Sequence, residues 1–440
     1  MSTEHIPTPS NDQTPIAIFW FRRDLRIEDN TALTAALDKD IPVLPLFIFD
    51  RHILNELAED DARVNFIHRS IQRIKEGLKD HGSDIICLYG EPVTIWKALI
   101  LKYNIAAVFT NRDYEPYAIG RDKEIAEILT NKNIPFLSFK DQVIFEENEI
   151  VKSDGEPYTV FTPYKNQWLS KFQEINAIQP KKLKLNNLHK GDYATITLED
   201  IGFKKSDIPV PDFDLTKLDI YGEQRDFPYE DITSYLSPHL RFGTISIRQV
   251  IARIDKKHEV FMSELIWREF FMQILFHFPK VVTQNFRPKY DNIQWRNNKE
   301  EFELWCQGKT GYPMVDAGMR QLNNTGFMHN RVRMITAGFL CKHLLIDWRW
   351  GESYFAKKLL DYELSSNNGN WQWAAGTGCD AAPYFRVFNP LSQQQKFDKD
   401  YKYVRKWIPE FDTFKYPDPI VEHKFARERA LKAYKIGIGS

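Results

Sequence analysis

The first 140 residues alternate between short apolar runs and polar or amphipathic stretches. A continuous apolar run of five to seven residues is typical of a strand buried on both faces of a parallel sheet. Five such runs occur, at residues 16–21, 43–49, 85–89, 105–110 and 134–139. The pattern predicts five parallel strands separated by helices, the order typical of a doubly wound, Rossmann-like α/β fold.

The stretches between these runs have the spacing of helices. One of them carries apolar residues at steps of three and four, namely Val64, Ile67, Ile71, Ile74 and Leu78. That period predicts an amphipathic helix with one apolar face. Further helices are predicted from the cap residues Asp29 and Asn30 to about Leu37, over 92–103, and over 120–131.

The remainder of the chain follows other patterns. Residues 140–215 contain scattered prolines and no sustained period, which favours a long connection with short helices. Beyond residue 216 the pattern is mainly helical. We therefore predict a disordered leader over 1–14, an α/β domain over 15–139, a linker over 140–215 and an all-α domain over 216–440.

Charge is divided unevenly along the chain, although the net charge is only −1. Residues 1–220 carry 27 basic and 35 acidic side chains, whereas residues 221–440 carry 32 and 25. The positive second half suits a polyanionic partner such as a nucleic acid. Eight of the eleven tryptophans lie at or after Trp267, which fits core packing but also a site that stacks flat rings.

The four cysteines are too far apart for a zinc site or a C-x-x-C redox motif. A reduced, cytoplasmic protein without a bound metal is therefore the expectation. No apolar run reaches the roughly 18 residues of a membrane-spanning helix, so we expect no membrane partner.

One predicted helix concentrates groups able to hold a nucleobase. The segment 263–277 is predicted as a helix with Ser263 near its N-cap. Four of its residues share one face: Glu264, Trp267, Arg268 and Phe271. These could hydrogen-bond a base, stack on it and contact a phosphate. The same residues also fit a simpler interpretation, in which Glu264 and Arg268 form a surface ion pair and Trp267 belongs to the core.

Three further clusters are ambiguous on their own. The segment 326–335 has a helical pattern and carries Asn330, Arg331, Arg333 and Met334. Asn-Asn-Gly-Asn at 367–370 is a turn signal followed by two indoles. The hydroxyl-rich run 233–237 precedes a proline and suits either a helix cap or a phosphate site.

Together and in this order, the clusters resemble the DNA photolyase/cryptochrome family, most closely class I cyclobutane pyrimidine dimer photolyases. The resemblance covers nearly the whole chain and is carried by the segments 19–26 (FWFRRDLR), 311–320 (GYPMVDAGMR) and 368–390 (NGNWQWAAGTGCDAAPYFRVFNP). It implies an antenna domain followed by a helical FAD-binding domain. It also implies a light-driven lyase in which excited FADH⁻ lends an electron to a cyclobutane pyrimidine dimer flipped out of DNA.

The resemblance assigns FAD contacts position by position. Asn367 would face flavin N5, where many plant cryptochromes carry Asp, so this residue favours a repair enzyme. Asp361 would pair with Arg333. The full set of predicted FAD contacts is Tyr221, Thr233, Ser234, Tyr235, Leu236, Ser237, Arg333, Asp361, Tyr362, Glu363 and Asn367.

Residues for the DNA lesion and for electron transfer follow from the same resemblance. Glu264 would hydrogen-bond the dimer in a pocket walled by Trp267 and Trp373 and lined by Asn330 and Met334. The predicted electron relay to FAD is Trp371, Trp348 and Trp295. The predicted DNA contacts are Arg225, Glu264, Trp267, Arg268, Phe271, Asn330, Arg331 and Arg386.

Several choices within the family remain. The (6-4) branch uses two histidines where this chain has Asn330 and Met334, which argues for cyclobutane dimers in ultraviolet-damaged DNA. Glu115 is a candidate ligand for an antenna chromophore, and methenyltetrahydrofolate is favoured over a deazaflavin, although a deazaflavin or an empty site also fits. We expect a monomer.

Two alternative functions remain. One is a cryptochrome-type photoreceptor that binds FAD without repair, and the other is a nucleotide-binding α/β protein with a helical partner domain.

Overall fold

The computed structural model describes residues 6–7, 14–174, 183 and 185–439. Its strands are β1 (Ile16–Phe21), β2 (Val43–Asp50), β3 (Ile86–Gly90), β4 (Ile105–Asn111) and β5 (Phe136–Phe139). Its α-helices are α1 (Thr31–Leu37), α2 (Arg51–Leu54), α3 (Ala62–Lys79), α4 (Pro92–Lys102), α5 (Pro116–Thr130), α6 (Phe161–Glu174), α7 (Leu218–Gln224), α8 (Leu236–Phe242), α9 (Ile247–Ile251), α10 (Glu259–His277), α11 (Lys299–Gln307), α12 (Pro313–Thr325), α13 (Asn330–Gly338), α14 (Trp348–Lys358), α15 (Leu364–Ala375), α16 (Pro390–Phe397), α17 (Lys402–Trp407) and α18 (His423–Gly437). A π-helix, Phe339–His343, follows α13.

The five strands form one parallel sheet in the order β3-β2-β1-β4-β5. Ala17 of the central strand β1 pairs with Val43 of β2 and with Ala107 of β4. Every residue of β1 is buried, as expected for a parallel sheet covered by helices on both faces. The predicted sheet is confirmed, and each strand lies within two residues of its predicted bounds.

The helices that connect the strands begin at recognisable caps. The Asn30 side chain caps α1 and accepts a hydrogen bond from the Leu33 amide. The apolar period over 64–78 becomes α3. The helix predicted over 120–131 begins earlier, at Pro116, because proline lacks the N–H that a first-turn residue leaves unpaired.

The chain divides into two compact units, and each unit is made of several segments that alternate along the sequence. Of the described residues, unit 1 holds those up to Glu146, those in Gln173–Pro211 and those in Leu236–Ile254, and it contains the sheet. Unit 2 holds Glu147–Phe172, Asp212–Tyr235 and the residues from Asp255 onward. Parts of the predicted linker thus go with each unit, and the domain boundaries at 139 and 215 stay predictions.

Part of the predicted disordered leader is described, and it packs on unit 1. Ile6 lies in the apolar core of the sheet domain. The Lys102 ammonium donates to the Ile6 carbonyl, and the Tyr103 hydroxyl donates to the Pro7 carbonyl. Apart from these two residues and Thr14, the predicted leader lies outside the described residues.

Unit 2 is mainly helical, as predicted, with its largest apolar cluster built around α11 to α15. One helix start is wrong. α10 begins at Glu259 rather than near Ser263, because Phe261 is buried and continues the apolar pattern, and Glu259 suits the positive end of the helix dipole. The predicted linker also contains a full helix, α6, of 14 residues rather than a short one.

The turn predicted over 367–370 is wrong as well, since these residues lie inside α15. Two asparagine side chains there bond to other elements: Asn367 donates to Glu352 of α14, and Asn368 donates to the Val281 carbonyl. A Cβ at Gly369 would collide with the Phe271 ring, so glycine permits close packing here. Tertiary contacts therefore outweigh the local turn preference of this sequence.

No helix in the described part of the chain is long and apolar enough to cross a membrane. Among the same residues, no group of three or more His, Cys, Asp or Glu side chains is arranged to hold a metal ion.

Candidate functional site

One face of α10 carries the four residues that the sequence placed together. Glu264 accepts a hydrogen bond at 2.5 Å from Nη1 of Arg225, which follows α7. The Glu264 side chain is about one-third exposed (35%), so it stays within reach of a ligand. Arg225 also lies over the Tyr221 ring, 5.3 Å from its centroid. The structure thus brings three predicted site residues from two helices into contact.

Trp267 stacks against two phenylalanine rings. Phe161 of α6 stacks on it with centroids 3.6 Å apart and planes 7° from parallel. Phe271 stacks on it at 5.3 Å and 27°. These two contacts fix the orientation of the Trp267 ring, and the nearly parallel stack on Phe161 is the tighter of them. Sequence analysis missed Phe161, although Phe161, Tyr164 and Trp168 recur at helical spacing and are all buried.

We expect Phe161→Leu to weaken binding of damaged DNA by roughly three- to tenfold, because loss of a stacked aromatic pair frees Trp267. Fluorescence anisotropy with damaged and undamaged duplexes measures this affinity. Phe172→Leu is the matched control, since Phe172 stacks on Trp168 of the same helix at 4.8 Å and does not contact Trp267. Equal losses in the two variants would contradict a specific role for Phe161.

The start of α13 carries a second group of predicted residues. His329 caps the helix and accepts a hydrogen bond from the Arg331 amide. Arg331 Nη2 pairs with Asp226 at 2.8 Å. Asn330 is exposed and Met334, one turn later, is half-buried, so these two lie on the same face of the helix.

Arg333 of α13 makes the predicted ion pair with Asp361. Its Nη2 donates to the two carboxylate oxygens at 2.9 and 3.2 Å, and its Nε donates to the Met328 carbonyl at 2.7 Å. Asp361 belongs to the run 361–363 that precedes α15, in which Tyr362 is half-buried and Glu363 is buried. The Glu363 carboxylate accepts a hydrogen bond from Ser365.

Asn367, in the first turn of α15, has a fixed donor and an open acceptor. Its Nδ2 donates to the Glu352 carboxylate at 2.8 Å and to the Glu352 carbonyl at 3.2 Å. No described residue donates to its Oδ1, although the side chain is buried. Burial raises the pKa of Glu352. An accessible amide oxygen without a donor suits a flavin N–H group, so Asn367 fits the cofactor that the sequence predicts. Glu352 is a second residue that sequence analysis missed.

The hydroxyl-rich run 233–237 divides between the two units. In unit 2, Thr233 Oγ1 is buried and has no hydrogen-bond partner among the described residues, which suits a phosphate oxygen. Tyr235 has a positive φ of 50° and donates its hydroxyl to Asp231. In unit 1, Leu236 and Ser237 begin α8. Ser234 is half-buried, and the FAD-contact roles of all these residues stay predictions.

Of the three predicted relay tryptophans, the last one is the most exposed. Trp371 and Trp348 are buried, whereas Trp295 is partly exposed. The Trp348 indole donates to Asn285 at 2.9 Å. Trp371 also contacts Trp305, which lies outside the predicted relay, with centroids 6.1 Å apart. Trp373, the second predicted pocket wall, is half-buried near the end of α15.

Two predicted residues lie apart from these contacts. Arg386 is exposed on the segment between α15 and α16. Glu115, in unit 1, accepts from Arg23 at 3.1 Å and pairs with Arg241 at 3.2 Å. A folate bound through this carboxylate would have to replace those ion pairs.

Two protein-family models match the chain. Residues 17–183 match the DNA photolyase family, and residues 261–415 match the FAD binding domain of DNA photolyase. The chain is 36% identical to a deoxyribodipyrimidine photo-lyase of Vibrio cholerae, over 96% of this chain and 100% of that protein. It is also 36% identical to that of Escherichia coli, over 95% and 98%.

Solved structures show the same relationship. A class III photolyase from Agrobacterium tumefaciens matches with a TM-score of 0.86 and 35% identity, over 98% of this chain and 99% of that one. A Synechocystis cryptochrome matches with a TM-score of 0.84 and 25% identity, over 96% and 100%. The predicted class I assignment stays a prediction. By its full-length similarity and by its fold, this chain belongs to the DNA photolyase family.

Proposed function

We propose that this chain is a light-driven DNA repair lyase that splits cyclobutane pyrimidine dimers. The observation that carries the proposal is Asn367, whose amide is fixed by Glu352 and whose oxygen stays open for a flavin N–H. An aspartate at this position is common in plant cryptochromes, so the asparagine favours repair. Full-length relatives named deoxyribodipyrimidine photo-lyase support the same activity.

The protein side of the mechanism is binding and orientation. When bound, reduced FAD would supply the light-excited electron donor for ring cleavage, with no net oxidation or reduction. Arg333 and Asp361 hold the start of α15 against α13, and Asn367 offers an acceptor to the flavin edge. Glu264 would hydrogen-bond the dimer, and its accessible carboxyl group beside Arg225 supports this role.

The substrate proposal rests on the chemistry of the pocket residues. Asn330 and Met334 share a face of α13, where the (6-4) branch carries two histidines. A dimer distorts its stack, so flipping it out of the duplex costs less than flipping an intact base. Arg225, Arg268, Arg331 and Arg386 would bind the neighbouring phosphates, and the excess of basic residues over 221–440 supports this.

The remaining partners stay proposals. A methenyltetrahydrofolate antenna bound at Glu115 would have to displace the ion pairs with Arg23 and Arg241, which favours another contact for any such chromophore. A monomeric state remains a prediction.

A light-dependent repair assay tests the proposal. Protein with reduced FAD is mixed with an oligonucleotide that contains a defined cyclobutane dimer, and samples under blue light are compared with samples in darkness. We expect the dimer to be lost only in the light. If FAD binds and no dimer is lost, a cryptochrome-type photoreceptor becomes the better explanation. This second candidate is supported by the 25% identity between this chain and a cryptochrome of known structure.

Glu264→Ala is expected to lower the repair yield while FAD stays bound. Loss of a hydrogen bond to a charged group should weaken binding of damaged duplex by roughly tenfold. The measurements are dimer repair per absorbed photon and FAD content. Glu259→Ala is the matched control, because Glu259 is exposed on the same helix. Release of FAD from the Glu264 variant would mean that Glu264 belongs to the cofactor site.

A further inference from the structure

A buried lysine joins three elements of unit 2. Lys342, in the π-helix after α13, is only 3% exposed. Its ammonium donates to the Ala375 carbonyl at 2.7 Å and to the Tyr384 carbonyl at 3.3 Å. Nζ also lies 3.8 Å from the ring centroid of Tyr434. Lys342 therefore contacts the end of α15, the segment that follows it and helix α18.

No carboxylate forms an ion pair with Lys342 among the described residues, so its charge is stabilised in other ways. Ala375 is the last residue of α15, where the helix dipole is negative. The Tyr434 ring adds a cation–π interaction. Burial still lowers the pKa of Lys342 to about 7. An apolar side chain of similar size would avoid this desolvation, so stability alone does not account for a lysine here.

The segment attached to Lys342 presents groups that suit nucleic acid. Tyr384 stacks on Tyr434 with centroids 5.9 Å apart and planes 6° from parallel, which fixes the start of the exposed stretch. Phe385 is then 60% exposed, and Arg386 is exposed beside it. An exposed ring next to a guanidinium can stack on or wedge between bases while the cation contacts a phosphate.

We propose that Lys342 is a positioning residue that holds the segment between α15 and α16 so that Phe385 and Arg386 meet damaged DNA. The identity of this ligand rests on the proposed function. The ammonium acts through the Tyr384 carbonyl and touches neither cofactor nor lesion. Loss of its charge would loosen the segment and reduce DNA affinity without changing the chemistry of a bound dimer.

The proposal makes DNA affinity depend on pH. The titratable groups facing Lys342 are the thiol of Cys341 on the same π-helix and the hydroxyl of Tyr434 on α18. Burial raises the pKa of both, so both stay neutral near pH 7. Lys342 is charged below pH 7 and neutral above it. Affinity for damaged DNA should therefore fall as the pH rises through about 7.

The sign for stability is opposite. The unfolded chain keeps this lysine protonated up to about pH 10.5. Between about pH 7 and pH 10.5 the unfolded chain binds this proton and the folded chain does not. The free energy of unfolding therefore decreases as the pH is lowered through this range. Lys342→Met removes that cost, so the variant should melt no lower than the parent protein at pH 7.

Lys342→Met tests the proposal with the FAD-loaded protein and a dimer-containing duplex at constant salt. We expect about fivefold weaker binding at pH 6, the effect of losing one hydrogen bond from a charged group. We also expect a flat profile from pH 6 to 8.5, with FAD content and melting temperature retained. Lys342→Arg should restore most of the affinity, and Lys357→Met, on the exposed surface of α14, should behave as the parent protein.

Parental affinity in Lys342→Met at every pH would overturn the proposal. If that variant does not fold, Arg386→Gln provides a second test, because it removes one of the two groups that Lys342 positions. Its affinity should be lower than that of the parent protein and should fall less steeply as the pH rises, and a parental pH slope would again overturn the proposal. Dimer repair by the parent protein is measured in parallel. Absence of repair would refute the proposed lyase function, whereas the pH profile of binding tests Lys342 alone.

Discussion

Asp361→Ala is expected to release FAD and to destabilise unit 2. The Asp361 carboxylate is 8% exposed and receives two hydrogen bonds from Arg333, which is itself only 25% exposed. Removing one partner leaves the guanidinium largely buried with the Met328 carbonyl as its remaining acceptor. Breaking a buried pair typically costs about 3–5 kcal/mol, and the partial exposure of Arg333 reduces our expectation to about 2–3 kcal/mol.

The loss of FAD should add to this effect. A ligand that binds only the folded state stabilises it by mass action. The substitution should therefore lower the melting temperature more when it is measured with FAD than when it is measured without FAD. Melting curves of both forms, together with flavin absorbance after gel filtration, measure the two contributions. Asp412→Ala is the control, because its ion pair with Arg405 is largely exposed. Retained FAD with an unchanged melting temperature would show that the Arg333 pair supports neither the cofactor nor the fold.

Trp371→Phe is expected to abolish photoreduction of oxidised FAD while leaving repair by chemically reduced protein intact. A relay residue must give up an electron transiently, and a benzene ring is far harder to oxidise than an indole. Trp371 is buried in α15 one turn after Asn367, the predicted contact of flavin N5, so we expect it to be the first relay residue. The size change is modest, so folding should be retained. Flavin absorbance during illumination with an external reductant, followed by the repair assay, measures the two activities.

Trp305→Phe is the matched control for this prediction. Trp305 is fully buried and contacts Trp371 with ring centroids 6.1 Å apart, but it lies outside the predicted relay of Trp371, Trp348 and Trp295. Its substitution should leave photoreduction unchanged. A loss of photoreduction comparable to that of Trp371→Phe would indicate that the electron passes through Trp305 instead of Trp348. Normal photoreduction in Trp371→Phe would refute the relay altogether.

Sequence-based prediction was strongest where local pattern and tertiary environment agree. Strands β1 to β4 are continuous apolar runs, and a run of that kind leaves few alternatives once helices lie between the strands. The family was recognised correctly for a related reason. Long motifs such as 368–390 are specific in order and spacing even where each residue alone is ambiguous.

It failed where partners distant in sequence decide the local structure. Asn367 and Asn368 favour a turn on their own, but their amides bond to Glu352 and Val281, and the helix is retained. Phe161 lies in a stretch that was predicted to be a linker, and only the folded chain places its ring against Trp267. No sequence period identifies such a pair, because the residues lie more than a hundred positions apart.

The sequence by itself thus determined the parallel sheet, the helical second half, the family and the residue types available for FAD and damaged DNA. The tertiary structure decided which of those groups remain available to a ligand. Glu115 is held by arginines, Trp267 is stacked against Phe161 and Phe271, and Asn367 keeps an open oxygen. Hydrogen-bonding capacity is a property of the residue type, whereas its use by neighbouring groups depends on contacts that folding alone creates.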